Sequence, residues 1–173
     1  IPDSEVFKLE LLMEQAHVTI HDRRVVDAAL SRAESTGAAA AAIELPDGKI
    51  MTGKTSNLLG PSAALILNAL KELAGIDHDL HVISPTAIEP IQKVKTQYLG
   101  SKNPRLHIDE ILIALSISSA ANPAAQHAME QLPKLKGCQV HTSVMLSSVD
   151  IKLFKKLGIQ LTCEPKYEHD PIY

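Results

Sequence analysis

The sequence has 173 residues, which is enough for one domain with its own buried core. Its hydrophobic content of 45% is that of a globular protein and excludes a disordered one. Only 3% of the residues are aromatic, and the formal net charge is −3. Few rings can therefore stack on bases, and no excess of positive charge attracts a nucleic acid or a membrane surface. We expect neither kind of partner.

Cys138 and Cys163 are the two cysteines of the sequence, and both lie in apolar, strand-like stretches. Two cysteines are too few for a disulfide framework. We expect both to be buried and reduced, as in a cytoplasmic protein. The chain begins with Ile1 rather than Met, and its first residues lack the basic start and the apolar stretch of a secretory signal. These features predict a cytoplasmic segment of a longer polypeptide.

The first third of the sequence predicts two helices followed by a β-hairpin. Apolar residues recur at helical spacing over residues 4–16 and again over 22–37, where Asp22 is the expected N-cap. Two strand-like stretches follow at 38–45 and 49–52. They are joined by Pro-Asp-Gly, a strong turn signal, so this is the clearest hairpin in the sequence.

The rest of the sequence alternates between helical and strand-like patterns. Asn followed by Pro occurs at two places, Asn103 and Asn122, and each pair is typical of a helix start. In chain order we predict a helix over 61–73, a strand over 80–83, a helix over 89–99, a helical insertion near 103–133, a strand over 140–146, a short helix capped by Ser147 or Ser148, and a strand over 159–163.

A hairpin followed by strand–helix–strand units, with helices on both faces, predicts an α/β fold with a three-layer mixed sheet. The units after the hairpin should be right-handed, with parallel strands. We expect a single domain over residues 1–173. Its parts are an N-terminal helical segment at 1–37, a sheet core at 38–163 that contains the insertion, and an irregular tail at 164–173. The order of elements resembles the cytidine-deaminase-like fold.

The zinc ligands of deaminases test that resemblance. Zinc deaminases carry His-x-Glu or Cys-x-Glu at the start of the helix after the hairpin, and Pro-Cys-x-x-Cys after the third strand. Residues 59–63 and 84–88 occupy these places, and they contain no Cys, His or Glu. Zinc-dependent deamination is therefore excluded even if the fold is right. We predict no metal site, including at His17 and His21, which lie four residues apart.

No residue is identified as catalytic from the sequence. There is no Gly-x-Ser-x-Gly motif, and neither cysteine has an evident activating partner. His141 alternates with apolar neighbours in a predicted strand, so we expect a satisfied core or interface residue. His107 and the two acidic residues after it are expected at the first turn of a buried helix, where carboxylates stabilise the helix dipole.

The segment 52–57, Thr-Gly-Lys-Thr-Ser-Asn, is the best candidate for a binding site. It is predicted as a loop between a strand and a helix N-terminus, where backbone N–H groups can hold an anion. We reject a phosphate-binding P-loop, because its earlier glycine would be Gly48 in the hairpin turn. Two interpretations stay open, an anion or substrate site and a plain polar connector. The candidate residues are Lys54, Thr55, Ser56, Asn103 and Arg105.

Several stretches together resemble one bacterial family. They are residues 41–48, 52–56, 87–93, 103–107, 157–159 and 161–165. They are similar to the C-terminal part of the family called domain of unknown function eighteen-forty-six, an uncharacterised protein family. Its members are longer and cytoplasmic, and they carry an N-terminal region with a phosphate-loop-like segment. The resemblance implies that this chain is one part of such a protein, and it supplies no catalytic residues.

These observations lead to two functional hypotheses. The leading one is an accessory or substrate-binding half of a cytoplasmic enzyme that uses a nucleotide or phosphate. We then expect no cofactor held by this chain itself, a nucleotide held through the N-terminal region, and that region as the main partner. The alternative is a non-catalytic oligomerisation or interaction domain, and a homo-oligomer is expected in either case. An enzyme half should have a concave polar pocket, whereas a scaffold should have a flat apolar patch.

The substitution Lys54→Ala distinguishes the two hypotheses. In an exposed polar segment it should change the free energy of unfolding by less than about 0.5 kcal/mol. If Lys54 binds an anion, the affinity for a phosphate-bearing ligand should fall by roughly 1.5–3 kcal/mol. Denaturant unfolding and ligand titration measure the two effects. A large loss of stability would show instead that Lys54 is a buried, structural residue.

Overall fold

The computed structural model describes residues 3–16 and 22–168. In this part of the chain four strands form one sheet: β1 (Ala40–Glu44), β2 (Ile50–Lys54), β3 (Gln139–Thr142) and β4 (Gln160–Cys163). The strand order is β2-β1-β3-β4. Strand β1 is antiparallel to both β2 and β3, whereas β3 and β4 are parallel. The predicted mixed α/β sheet is confirmed.

Seven α-helices accompany the sheet in the described residues. They are α1 (Asp3–Gln15), α2 (Arg24–Thr36), α3 (Pro61–Leu73), α4 (Pro85–Lys93), α5 (Ile108–Ser119), α6 (Pro123–Glu130) and α7 (Ser148–Lys156). A π-helical turn over Val94–Tyr98 continues α4, and a 3-10 turn over Leu132–Leu135 follows α6. Among these described helices, none is both long enough and apolar enough to cross a membrane.

The hairpin of β1 and β2 has the predicted turn but a longer second strand. Gly48 has a φ of +88°, which a glycine adopts without strain, and the Asp47 carboxylate accepts a hydrogen bond from Lys49 N at 3.0 Å. Strand β2 continues to Lys54, so the predicted loop over residues 52–57 is shorter than expected. Gly53 and Lys54 of the Gly-Lys-Thr sequence thus lie in a strand. In a P-loop these residues belong to a loop, so the structure gives a second reason to reject that motif.

Helices cover both faces of the sheet. On one face, Val25 and Ala29 of α2 pack against Ala42 of β1. On the other face, Ala41 and Ile43 belong to the main core, to which α3, α5, α6 and α7 all contribute. Small side chains on β1 allow both layers to approach closely.

Gly53 brings β2 into direct contact with the backbone of α3. A Cβ atom built on Gly53 would lie 2.3 Å from Leu65 N and 2.6 Å from Leu65 Cα. Beside it, the Asn68 side chain donates a hydrogen bond to Thr52 O at 2.9 Å. Gly53 was predicted in a loop, but it lies within β2. Its lack of a side chain serves close packing of a strand against a helix.

The strand predicted over residues 80–83 is wrong. This segment is irregular and ends at the start of α4. Its apolar character comes from Val82 and Ile83, whose side chains enter the core without any strand partner. Upstream, Lys71 Nζ donates a hydrogen bond to His78 O at 2.7 Å and fixes the path of the connection.

The asparagine and proline signals are only partly confirmed. Asn122 caps α6, and its side chain accepts a backbone hydrogen bond at 3.0 Å. Asn103 caps no helix, because its side chain accepts instead from Arg105 N at 3.1 Å within a turn. Helix α4 begins at Pro85 rather than near Glu89, since a proline at the first helical position gives up no hydrogen bond.

Other element ends differ from the prediction by a few residues. Helix α2 has Arg23 rather than Asp22 as its N-cap. Strand β3 ends at Thr142, where the side-chain hydroxyl donates to Val144 O at 2.7 Å and the chain turns away. Ser147 caps α7 as predicted, accepting a hydrogen bond from a backbone N–H at 3.3 Å.

The Gly53 contact predicts a large effect of a small substitution. Gly53→Ala should lower the free energy of unfolding by about 3 kcal/mol or more, because the new methyl group meets backbone atoms that cannot rotate away. Gly75→Ala is the matched control. Its φ is +69°, and no atom lies within 4 Å of the added Cβ, so it should cost only about 1 kcal/mol. Urea unfolding measures both, and equal losses would contradict the close contact.

Candidate functional site

A pocket of about 570 Å³ lies beyond one edge of the sheet. Strands β2, β3 and β4 all run in the same direction, because β1 is antiparallel to both of its neighbours. Their carboxyl ends therefore meet at one edge, and the pocket opens there. Ligands of α/β proteins commonly bind outside the carboxyl ends of the strands.

The chain leaving each of these three strands contributes to the pocket wall. Residues 55–57 follow β2, residues 143–144 follow β3, and residues 166–168 follow β4. The last turns of α2 and the residues that connect it to β1 form the opposite wall, and Arg105 completes the lining. Five separate parts of the sequence thus meet at this pocket.

Arg105 is held in place by its own backbone and side chain. Its Nε atom donates a hydrogen bond to Ser56 O at 2.8 Å. Its carbonyl oxygen accepts from Lys95 Nζ at 2.5 Å, and Lys95 is also paired with Glu110 at 2.8 Å. Next to it, Leu106 N donates to a carbonyl of the loop after β2 at 2.9 Å. The guanidinium therefore has a fixed position between two loops.

The carboxylate of Glu168 lies against this arginine. Its Oε1 atom accepts a hydrogen bond from the Thr55 hydroxyl at 2.9 Å, and its Oε2 atom is 3.9 Å from Arg105 Nη1. Only 12% of the Glu168 side chain is exposed. The residue comes from the segment after β4, so residues 166–168 of the predicted irregular tail line the pocket.

A second, smaller cavity of about 40 Å³ lies next to the large pocket. Arg105 and Glu168 line both the large pocket and this small cavity. Three helices begin at its wall, since the N-cap residues of α3, α5 and α7 are Gly60, His107 and Ser147. The first N–H groups of a helix carry a partial positive charge. Three helix N-termini and one guanidinium thus face the carboxylates of Asp150 and Glu168, which line the same cavity.

Asp150 places a buried negative charge in this region. Its Oδ1 atom accepts a hydrogen bond from Ile108 N at 3.1 Å, and its Oδ2 atom is 3.5 Å from His107 Nδ1. The contact with Asp150 raises the pKa of His107, although burial and the charge of Lys95 act in the opposite direction. His107 is therefore suited to hold a proton near neutral pH.

His141 lies on the sheet face covered by α2. Its ring nitrogens contact Thr162 Oγ1 at 2.7 Å and Glu164 Oε1 at 3.0 Å. Arg23 donates to the same threonine hydroxyl at 3.0 Å and to the carbonyl oxygen of Gln160 at 3.0 Å. Burial lowers the pKa of His141, and the hydrogen bond that the ring donates to Glu164 only partly offsets this. As the sequence predicted, His141 is a satisfied, buried residue.

The structure brings most of the predicted binding residues together. Thr55, Ser56 and Arg105 line the large pocket, and Asn103 lines the small cavity together with Arg105. Lys54 is the last residue of β2, and its exposed side chain lies outside both linings. Sequence reasoning missed Glu168, because nothing near it in the sequence indicates a partner more than 60 residues away.

The two cysteines line neither the large pocket nor the small cavity. Cys138 and Cys163 are both unpaired, but only Cys138 is buried, so the expectation of two buried thiols is wrong for Cys163. Burial raises the pKa of the Cys138 thiol. In residues 3–16 and 22–168, no three His, Cys, Asp or Glu side chains are grouped to hold a metal ion. His17 and His21 lie outside the described residues.

Comparison with known proteins identifies the family. Residues 21–173 match the family described as domain of unknown function DUF1846, C-terminal. The chain is 55% identical over 166 residues to a UPF0371 protein of Corynebacterium glutamicum (strain R), which covers 96% of this chain and 34% of that protein. A UPF0371 protein of Corynebacterium efficiens is 53% identical over 173 residues, covering 100% of this chain and 35% of that protein.

A third relative comes from a different genus. The UPF0371 protein of Streptococcus thermophilus (strain ATCC BAA-491 / LMD-9) is 49% identical over 173 residues, again with 100% of this chain and 35% of the relative covered. The chain thus spans about a third of the length of these relatives. With a match over 21–173, the chain belongs to the family described as domain of unknown function DUF1846, C-terminal.

Proposed function

We propose that this chain is the substrate-binding part of a longer enzyme and that its pocket binds a ligand through a phosphate or carboxylate group. The observation that carries the proposal is the meeting of three strand ends and Arg105 at one pocket of about 570 Å³. Small-molecule and cofactor sites have volumes of roughly 300–1,000 Å³. A nucleotide or another phosphate-bearing metabolite is of suitable size.

Several polar groups of the pocket can bind an oxyanion, although the carboxylates of Glu34 and Glu168 also line it. The planar guanidinium of Arg105 can bind two oxygen atoms of one phosphate or carboxylate. The hydroxyl groups of Thr55 and Ser56 can donate to the same oxygens, and Lys166 adds a second positive charge to the lining. Lys54 and Asn103 remain in the proposed site as neighbouring groups rather than as direct lining of the large pocket.

His107 supplies a second chemical function beside the proposed anion site. It lines the small cavity with Arg105, and Asp150 favours its protonated form. A protonated imidazole next to a bound oxyanion can donate a proton to it or to a leaving group. We therefore propose the pair of His107 and Asp150 as the proton-carrying element of this chain.

Helix α1 supports the proposal that the partner is the N-terminal region of the longer protein. Phe7, Leu9 and Leu12 of α1 expose 66%, 53% and 61% of their surface. Neighbouring exposed apolar side chains are typical of an interface. The relatives are about three times longer than this chain, so they contain further residues that can cover α1. A nucleotide would then be held by that region, with no cofactor held by this chain alone.

The alternative is a non-catalytic oligomerisation or interaction domain. The exposed apolar residues of α1 favour it as well, because a second copy of the chain can also cover them. The two functions differ in the pocket, since only the substrate-binding function requires Arg105 and Thr55 to bind an anion. Two unpaired cysteines support a cytoplasmic location for either function.

We also propose that the sheet is a reduced version of the cytidine-deaminase-like arrangement. A hairpin followed by the parallel pair of β3 and β4 supports this comparison. The segment 80–83 is not a strand, so the sheet has one strand fewer than the element order suggested. The comparison concerns the arrangement of strands only.

Arg105→Gln should weaken the binding of inorganic phosphate by about 1.5–3 kcal/mol, the scale of a lost hydrogen bond to a charged group. The affinity is measured by NMR titration at constant ionic strength, using the amide signals of residues 55–57. Arg105→Lys keeps the charge and should retain part of the affinity. If the parent and Arg105→Gln bind phosphate with equal affinity, this pocket is not the anion site. If only Lys54→Ala loses affinity for phosphate, the anion binds at the end of β2.

His107 should stabilise the protein more in acid than in alkaline solution. Because Asp150 raises the pKa of His107 in the folded state, the folded protein holds a proton more tightly than the unfolded chain. This stabilisation is complete below about pH 6.5, the unfolded value, and is lost as the pH rises through the folded pKa. His107→Gln should therefore cost more free energy of unfolding at about pH 5.5 than at about pH 8.5.

Denaturant unfolding of the parent and of His107→Gln at the two pH values measures this difference. His127→Gln is the matched control, because His127 is 56% exposed on α6 and lies 3.9 Å from Glu130. Its effect should be small at both pH values. A constant loss across the pH range for His107→Gln would show that Asp150 does not favour the charged imidazole.

A further inference from the structure

The segment that follows β4 forms one wall of the large pocket and is attached at two points, to β3 and to the chain that follows β3. Glu164 N donates a hydrogen bond to Thr142 O at 2.9 Å, which extends the pairing of β4 with β3. Farther along, Met145 N donates to Lys166 O at 2.6 Å. We call residues 164–168 the strap, because they cross the pocket edge between these attachments and Glu168.

Glu168 ends the strap with a buried carboxylate. A carboxylate loses much of its hydration when only 12% of its side chain is exposed, so it needs hydrogen bonds or a positive charge nearby. The Thr55 hydroxyl and Arg105 supply them. These are two of the groups that the proposed function assigns to the ligand. A second anion bound by the same groups would be repelled by Glu168.

The contact with Arg105 is longer than a strong ion pair. Charge-assisted hydrogen bonds between nitrogen and oxygen are usually about 2.7–2.9 Å long, whereas Glu168 Oε2 lies 3.9 Å from Arg105 Nη1. A free phosphate or carboxylate is not constrained by the strap and can approach the guanidinium more closely. Exchange of Glu168 for a ligand oxyanion therefore keeps the Thr55 hydrogen bond and shortens the contact with Arg105.

We propose that the Glu168 carboxylate occupies the position of the ligand's oxyanion, and that a phosphate or carboxylate ligand binds by displacing it. This inference rests on the proposed function, because it concerns the same pocket. It assigns the anion position to Thr55 and Arg105, and it makes the strap the part of the pocket that moves when a ligand enters.

NMR titrations with inorganic phosphate and, separately, with acetate test this proposal at constant ionic strength. Glu168→Gln removes the competing charge but keeps an oxygen that can accept from Thr55. Its dissociation constant for the preferred anion should be at least about tenfold lower than that of the parent. Glu130→Gln makes the same change of charge on α6, where the side chain is 57% exposed, and should bind like the parent.

A second measurement uses the unmodified chain. If an anion displaces Glu168, the end of the strap is released and the hydrogen bond from Met145 N to Lys166 O weakens. Saturating phosphate or acetate should therefore increase the hydrogen-exchange rate of the Met145 amide. Decreased or unchanged exchange at Met145, with anion bound at residues 55–57, would contradict displacement.

The outcomes separate this inference from the proposed function. If Glu168→Gln and the parent bind the anions equally well while Arg105→Gln binds neither, the site exists but Glu168 does not compete for it. If no variant binds phosphate or acetate at residues 55–57, both the proposed function and the inference are wrong. Tighter binding of phosphate than of acetate by Glu168→Gln would identify a phosphate-bearing ligand, and the reverse would identify a carboxylate.

Discussion

The position of α3 on the sheet depends on the contact between the backbone of Gly53 and the backbone of Leu65. No side chain fits between them, since even a methyl group at Gly53 would lie 2.3 Å from Leu65 N. This contact sets the distance between β2 and α3, and the chain between them must turn within residues 55–60. The hydroxyl of Thr55 and the first turn of α3 are thereby held at the same edge of the sheet, next to Arg105.

Local sequence signals were sufficient where neighbouring residues determine the structure. The hairpin follows from Pro-Asp-Gly between two strand-like stretches, and the caps at Asn122 and Ser147 follow from short polar side chains before helices. The same signals failed where tertiary packing decides. Residues 80–83 have the composition of a strand, but in the described part of the chain they join no sheet, and Val82 and Ile83 pack into the core.

The candidate site shows the same division. The segment after β2 could be predicted because small hydroxyl residues lie between a strand and a helix, and Arg105 was included as a nearby cation. Glu168 and Asp150 could not be predicted, because their contacts with Thr55 and His107 join parts of the chain far apart in sequence. Lys54, the other cation suggested near this segment, has an exposed side chain outside the pocket lining.

The two faces of the sheet differ in how firmly they hold their helices. The face toward α3 is bound by a large apolar core, whereas α2 rests on small residues and on the hydrogen bonds of Arg23 to Thr162 and Gln160. Since α2 forms one wall of the large pocket, a ligand there would depend on this smaller contact between α2 and the sheet.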